Sequence, residues 1–217
     1  MTESKPRFLD LFTGTHSVAR VAESLGYEVT TLDLSNADIC CDILEWDYRA
    51  AYAPGHFDIV WSSPPCDTFS CAQRSNIGRY GISAESIERN IQETGLPILR
   101  RTEEIIDYLN PRLWFIENPK TGRMKDFITD RPYYDVDYCC YSDWGYRKST
   151  RIWTNLEGFV PLTCGGPDVC PYMEGKRHFR SVIGNRAGRP GTGGSSNKGP
   201  RYRIPSDLTT QLINNVA

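Results

Sequence analysis

RFLDLFTGTHSVARVAESLGYEVTTLDL, residues 7–34, reads as one strand–turn–helix–strand unit. Residues 7–12 form a short apolar run suited to a buried strand, and residues 13–15 make a turn around a single glycine. Residues 16–25 carry Val18, Ala19, Ala22 and Leu25 at helical spacing, with Gly26 as the stop signal. Residues 28–34 are the second strand. The alternation continues outward. Residues 57–62 (FDIVWS) predict a third strand, ended by Pro64 and Pro65. Residues 85–110 predict a long helix bounded by Pro111 and disturbed at Gly95 and Pro97. Residues 113–117 (LWFIE) predict a fourth strand, ended by Asn118 and Pro119. Residues 136–141 and 151–154 predict a late hairpin. Residues 204–217 return to an amphipathic helix with Leu208, Leu212, Ile213 and Val216 near one face. Strands alternating with helices imply an α/β fold, a parallel sheet with helices on both faces and ligands beyond the carboxyl ends of its strands.

The chain has 217 residues, which favours one domain that can bury a core without disulfides. Apolar residues at 39% and charged residues at 24% are ordinary for a globular protein and argue against disorder. No apolar run approaches the ~20 residues of a membrane span. The opening MTESKPRFLD lacks the layout of a signal peptide. The expectation is a soluble, intracellular (cytoplasmic) monomer, with its eight cysteines reduced by default. A net charge of −2 excludes a uniformly basic nucleic-acid coat, but the charge is unevenly placed. Residues 176–203 hold eight basic residues and no acid, so the rest of the chain stands at −10.

Four candidate sites fall at strand exits. In FLDLFTGTH (8–16), Gly14 lets the backbone approach a ligand beside a helix start, and Asp33 in TLDL sits where an acid commonly holds a ribose hydroxyl. The alternative is an ordinary turn with Asp33 as a cap. No G-x-G-x-x-G is present, so an adenosyl ligand without pyrophosphate fits the lone glycine better than NAD or FAD. In SSPPCDTFS (62–70), two prolines mount Cys66 stiffly at a strand exit. It can be a nucleophile where its thiolate is favoured, and a buried inert cysteine otherwise. Cys71 has no such mount. In FIENP (115–119), Glu117 is delivered to the same edge, where a carboxyl group can protonate or hydrogen-bond a heterocyclic nitrogen. A helix cap or a surface ion pair is its other reading. In YRKSTRIWTN (146–155), Arg147 and Lys148 read as a solvated strand end. Arg151 is the expected inward-pointing arginine.

FLDLFTGT, TLDL, CDI, SSPPC, FIEN and RKSTR occur in the order of the cytosine-5 DNA methyltransferases, which the chain resembles from about residue 8 to residue 153. Pro-Pro-Cys with Glu-Asn is the specific part of the resemblance. The compact length is most similar to the small members found in phages and large viruses. The resemblance implies the S-adenosylmethionine-dependent methyltransferase (Rossmann-like) fold, a mostly parallel seven-stranded sheet with helices on both faces. It implies S-adenosyl-L-methionine as methyl donor and double-stranded DNA as partner. Phe12 would pack on the adenine, and Gly14 and Thr15 would lie under the methionine end. Asp33 would hold the ribose, Asp42 would accept the adenine amino group, Pro64 would flank the cofactor, and Leu34 and Ile43 would also line its site. Cys66 would attack carbon 6 of a flipped cytosine, Glu117 would hold its ring nitrogen 3 and amino group, and Arg151 its carbonyl oxygen. Arg74 and Arg79, with Arg186, Arg189 and Lys198 of the basic segment, would meet DNA.

The resemblance has departures. Thr15-His16 replaces a glycine pair, Asp67 follows the cysteine in place of glutamine, and Pro119 follows Glu-Asn. Only 45 residues (156–200) lie where many members hold a target-recognition domain. One methyltransferase domain is therefore expected over residues 1–217, with a reduced DNA-binding segment at about 156–203 and a closing helix at 204–217. A tRNA cytosine-5 methyltransferase, an exocyclic-amino methyltransferase and an inactive binding module are the competing readings. Cys164, Cys170 and His178 could begin a zinc site, with Cys139 or Cys140 as a fourth ligand. C-x5-C-x7-H is not a standard finger, so they are read as loop residues and no metal is expected.

Overall fold

A computed structural model describes residues 4–182 and 199–215. The elements run β1 (Arg7–Leu11), α1 (Ser17–Ser24), β2 (Glu28–Asp33), β3 (Ile39–Cys40), α2 (Tyr48–Ala51), β4 (Ile59–Ser62), α3 (Ala84–Asn90), α4 (Leu96–Leu109), β5 (Leu113–Pro119), β6 (Tyr133–Asp137), β7 (Ser149–Thr154), β8 (Met173–Glu174), β9 (Arg177–His178), α5 (Gly199–Tyr202) and α6 (Ser206–Asn214). Seven strands form one sheet in the order β3-β2-β1-β4-β5-β7-β6. β1 to β5 are parallel, and β7 runs antiparallel between β5 and β6. This is the mostly parallel seven-stranded sheet implied by the resemblance. The predicted hairpin is the β6–β7 pair, shifted so that residues 138–140 form a tight turn after β6.

The central strands are buried on both sides, so they read as apolar runs without polar alternation. On one face Leu9, Leu11, Val60 and Ile116 pack with Leu99, Ile105 and Ile106 of α4. On the other Phe8, Trp61 and Phe115 pack with Val18 and Ala22 of α1 and with Leu208, Leu212 and Ile213 of α6. Val216, expected on the same helix, lies outside the described residues, as do Arg186, Arg189 and Lys198. Among the described residues no helix is long and apolar enough to cross a membrane.

The predicted long helix is two helices joined by a π-helical turn at Ile91–Gly95. Both disturbing residues have a physical role. Pro97 has no N–H to give to the preceding turn. A Cβ on Gly95 would lie 2.6 Å from Thr68 Oγ1 and 2.9 Å from the Phe69 ring. The loop after Cys66 therefore packs directly on helix backbone. Strand order reverses at β1, so a crevice opens beyond the carboxyl ends of β1 and β4, the usual ligand position in such sheets.

Candidate active site

A cavity of about 520 Å³ fills that crevice. Phe12, Gly14 and Thr15 enter from the β1 exit, Asp33 and Leu34 from β2, Asp42 and Ile43 from the loop after β3, Pro64 and Cys66 from β4, and Glu117 from β5. The four strand-exit motifs thus converge on one space, with a single exception in the fourth. The β1 turn is built on unusual backbone. Phe12 (φ 61°), Gly14 (φ 48°) and His16 (φ 56°) all adopt left-handed conformations. For a residue as bulky as Phe12 this is a strained state, held here by backbone bonds from Phe12 and Thr13 to the Leu32 carbonyl. Asp33 ties the turn down: Oδ2 accepts from the Gly14 N–H at 2.9 Å and Oδ1 from the Leu34 N–H at 2.7 Å. The Asp33 carboxylate thus caps the turn and lines the cavity beside it.

Sequence reasoning missed Asp10, which also lines the cavity. It is buried, accepts from Thr13 Oγ1 at 2.7 Å, and burial raises its pKa to about 7. Its place inside an apolar strand was the available signal.

Cys66 lies between this cavity and a second one of about 660 Å³. Cys66, Asp67, Asn118, Pro119, Lys148 and Tyr202 border both. Arg147 and Arg201 face only the second cavity, which gives it a basic rim. Burial pushes the Cys66 thiol up to about 11; the nearby Lys148 ammonium lowers it, whereas Glu117 and Asp67 raise it further. Three bonds tie the Cys66 loop to the β5 exit. Asn118 Nδ2 donates to the Pro64 carbonyl at 2.9 Å, the Arg123 N–H to the Phe69 carbonyl at 2.8 Å, and Cys71 Sγ to the Thr121 carbonyl at 2.9 Å. Cys71 is exposed and borders only the second cavity.

Glu117 is 5% exposed. Its Oε1 accepts from the buried Tyr138 hydroxyl at 3.0 Å and from Lys148 Nζ at 3.3 Å. Neither bond uses Oε2. Lys148 Nζ also lies 4.9 Å from the Tyr138 ring centroid.

Arg151 is the exception and corrects the expectation. It borders neither cavity. Its Nε and Nη2 bind Asp135 at 2.8 and 2.9 Å, and its guanidinium lies 3.6 Å from the Tyr133 ring centroid. The reason is strand alternation. Ile152 stands opposite Glu117 in the β5–β7 register, so Arg151 projects to the other face. Counting back from Ile152 in twos reaches Thr150 and then Lys148, the cation that meets Glu117. That parity was the signal for Lys148. Tyr138 and Tyr202 were missed because only the tertiary fold brings them to the site.

Arg74 and Arg79 lie exposed on the segment between the Cys66 loop and α3, beside Tyr80, which is 91% exposed. They do not border the cavities.

No family model matches the chain. The chain is 49% identical over 211 residues to a protein of Frog virus 3 (isolate Goorha) described as a probable DNA (cytosine-5)-methyltransferase, covering 95% of this chain and 98% of that one. The Entamoeba histolytica methyltransferase EhMeth superposes with a TM-score of 0.49 at 12% identity, covering 74% of this chain and 57% of that one, a likeness too loose to carry weight. The viral match spans nearly the whole of both chains. At that identity and coverage, this chain belongs to the DNA (cytosine-5)-methyltransferase family.

Proposed function

We propose that the protein transfers a methyl group from S-adenosyl-L-methionine to carbon 5 of a cytosine in DNA, through a covalent adduct of Cys66. The observation that carries this reading is the position of Cys66 where two cavities meet, with Glu117 and Lys148 beside it. The first cavity, at the β1 and β2 exits, fits the methyl donor. Its turn presents a buried Thr15 Oγ1 with no partner among the described residues, and a Gly14 at which a Cβ would touch only the Phe12 carbonyl oxygen, at 3.8 Å. Asp33 and Asp42 supply acceptors for hydroxyl and amino groups, and Phe12 and Ile43 supply apolar contact. When bound, S-adenosyl-L-methionine supplies an electrophilic methyl group.

The chain's residues do the rest. Carbon 5 of cytosine is a poor nucleophile until a thiolate adds at carbon 6. Cys66 Sγ forms that bond, and the ring electrons move toward carbon 5 and nitrogen 3. Glu117 Oε2, unused by Tyr138 and Lys148, meets the nitrogen 3 and amino edge. Tyr138 and Lys148 hold Oε1 and so fix the carboxyl plane. Lys148 takes the place expected for Arg151, favouring the Cys66 thiolate and facing the base carbonyl. Once carbon 5 has taken the methyl group that the donor would supply, leaving it as a neutral thioether, the carbon 5 proton passes to solvent in the second cavity and elimination expels Cys66 as the thiolate. The base must leave the duplex to reach this buried site, and the basic second cavity is its entrance. The whole chain acts as one methyltransferase domain and works as a monomer. Its short segment at 156–203 restricts recognition to two or three base pairs.

Covalent capture tests the reading. An oligodeoxynucleotide carrying 5-fluorocytosine should cross-link to the wild-type protein in the presence of S-adenosyl-L-methionine and not to Cys66→Ala. Capture of a tRNA analogue in place of DNA would move the substrate to RNA. Undiminished capture by Cys66→Ala would remove the mechanism.

A further inference from the structure

Residues 155–182 contain almost no regular structure: one antiparallel pairing of β8 with β9, two residues on each side. Loops of this length are uncommon in compact domains without a special means of support. Few side chains here reach a core. Leu156, Phe159 and Cys170 are buried, whereas Val160 and Val169 are about three-quarters exposed.

The fold brings four side chains of this region to one point. Cys139 comes from the turn after β6, Cys164 and Cys170 from the loop, and His178 from β9. All four ligand atoms lie within 4.8 Å of one another. His178 Nε2 is 3.6 Å from Cys164 Sγ and 3.4 Å from Cys170 Sγ. Cys139, Cys170 and His178 are each at most 9% exposed. Side chains that sequence spacing alone reads as local loop residues are thus gathered at one point.

We infer that Cys139, Cys164, Cys170 and His178 form a structural zinc site. The ligand set and the spacing argue for it together. A tetrahedral zinc ion with ordinary Zn–S and Zn–N bonds places sulfur and nitrogen about 3.6 Å apart, and two sulfurs about 3.8 Å apart. The two sulfur–nitrogen separations, 3.6 and 3.4 Å, match that geometry, and all four ligand atoms lie within 4.8 Å of one another. Three thiols and an imidazole suit zinc, whereas carboxylate-seeking calcium or magnesium has no ligand here. An iron–sulfur cluster needs its ligands spread wider than one ion does. A disulfide between two of the cysteines would leave the third thiol and the imidazole crowded around it. Four protein ligands close the coordination sphere, so the ion holds structure and takes no part in the reaction.

The position gives the site its purpose. Cys139 neighbours Tyr138, the partner of Glu117. The loop is sewn to the same region by the Cys164 N–H on Asp137 Oδ2 at 2.9 Å and by the Arg180 N–H on the Gly145 carbonyl at 2.9 Å. Val182, four residues beyond His178, borders the cavity that contains Cys66. The ion thus pins the start of the basic segment, Lys176, Arg177 and Arg180, beside the base entrance.

Metal analysis of wild-type protein, produced with zinc and purified without chelator, should give one zinc per chain. Cobalt exchanged into the wild-type protein should show thiolate-to-metal charge transfer and tetrahedral d–d bands. Cys164→Ser and Cys170→Ser should lose the metal, His178→Cys should keep it, and Cys40→Ser, an exposed thiol elsewhere, should keep it too. Should the serine variants fail to fold, the wild-type stoichiometry and cobalt spectrum decide the matter alone. Wild-type protein with no stoichiometric zinc and no thiolate–cobalt bands overturns the inference, as does full metal content in soluble Cys164→Ser and Cys170→Ser.

Discussion

The side-chain amide of Asn118 donates from Nδ2 to the carbonyl oxygen of Pro64 at 2.9 Å, inside the protein. One bond therefore joins the strand exit that carries Glu117 to the one that carries Cys66. Asn118 is 1% exposed, so no water can replace it cheaply. Asn118→Ala leaves the Pro64 carbonyl buried and unpaired, which costs about 1–3 kcal/mol. The variant should unfold at lower denaturant concentration by that amount. Methyl transfer should fall more steeply than cofactor affinity, because the bond positions Cys66 against Glu117. Equal stability and equal turnover in the variant would show that the two exits are held by their other bonds.

Burial pushes the Cys66 thiol up to about 11. At pH 7 only about one molecule in ten thousand then carries the thiolate. Alkylation of the Cys66 peptide by iodoacetamide, followed by mass spectrometry, should accelerate about tenfold per pH unit from 7 to 10. Lys148 is the largest influence that lowers the value, so Lys148→Met should slow alkylation at every pH in that range. A plateau by pH 8 would mean that the site activates the thiol before any substrate arrives.

Asp10 gives a stability signature of opposite origin. Its carboxyl is buried and its pKa is raised to about 7, with desolvation as the largest cause. Between about pH 4 and pH 7 the unfolded chain releases this proton while the folded one retains it, so unfolding is favoured as pH rises. Stability from this residue is complete below pH 4 and is lost through pH 7. The amount is on the order of 4 kcal/mol. Asp10→Asn keeps an acceptor for Thr13 and should flatten that slope in melting curves taken from pH 4 to 8. An unchanged slope would assign it to other carboxyl groups.

The sheet was legible in sequence because its central strands are apolar runs with turn residues behind them. The sites fell at its carboxyl edge for the same reason. What was not legible depended on strand parity or on distant chain. Arg151 and Lys148 differ by three positions, so they project to opposite faces of one strand and its lead-in. Choosing between them required knowing that Ile152, not Arg151, stands opposite Glu117. Cys139 and His178 lie 39 residues apart, and nothing local announces that they meet. Tyr202 reaches Asp67 at 3.3 Å across 135 residues.

Asp33 anchors the turn after β1 through Gly14 and, in the proposed role, also faces the ribose. Asp33→Ala removes both bonds. A charge-assisted hydrogen bond contributes about 1.5–3 kcal/mol, so affinity for S-adenosyl-L-methionine should fall roughly 10- to 100-fold in calorimetry. DNA affinity should change little. Unchanged cofactor affinity would leave Asp33 as a structural cap only.

Residues 176–203 carry eight basic residues and no acid, against −10 for the remainder. On this charge distribution, duplex DNA should be repelled by the body and drawn to this segment. Its described beginning, Arg180 to Val182, leads to the cavity beside Cys66. Arg186, Arg189 and Lys198 belong to the part beyond the described residues. If each meets a phosphate, replacing all three with Ala should reduce the slope of log affinity against log salt by up to about three units. Phosphate contacts carry no base code, so the loss should be nearly equal for target and non-target duplexes. An unchanged slope would place the DNA surface elsewhere, with Arg74, Arg79 and the exposed Tyr80 as the next residues to replace. A methylation map showing four or more defined base pairs would mean that this short segment reads more of the groove than its length suggests.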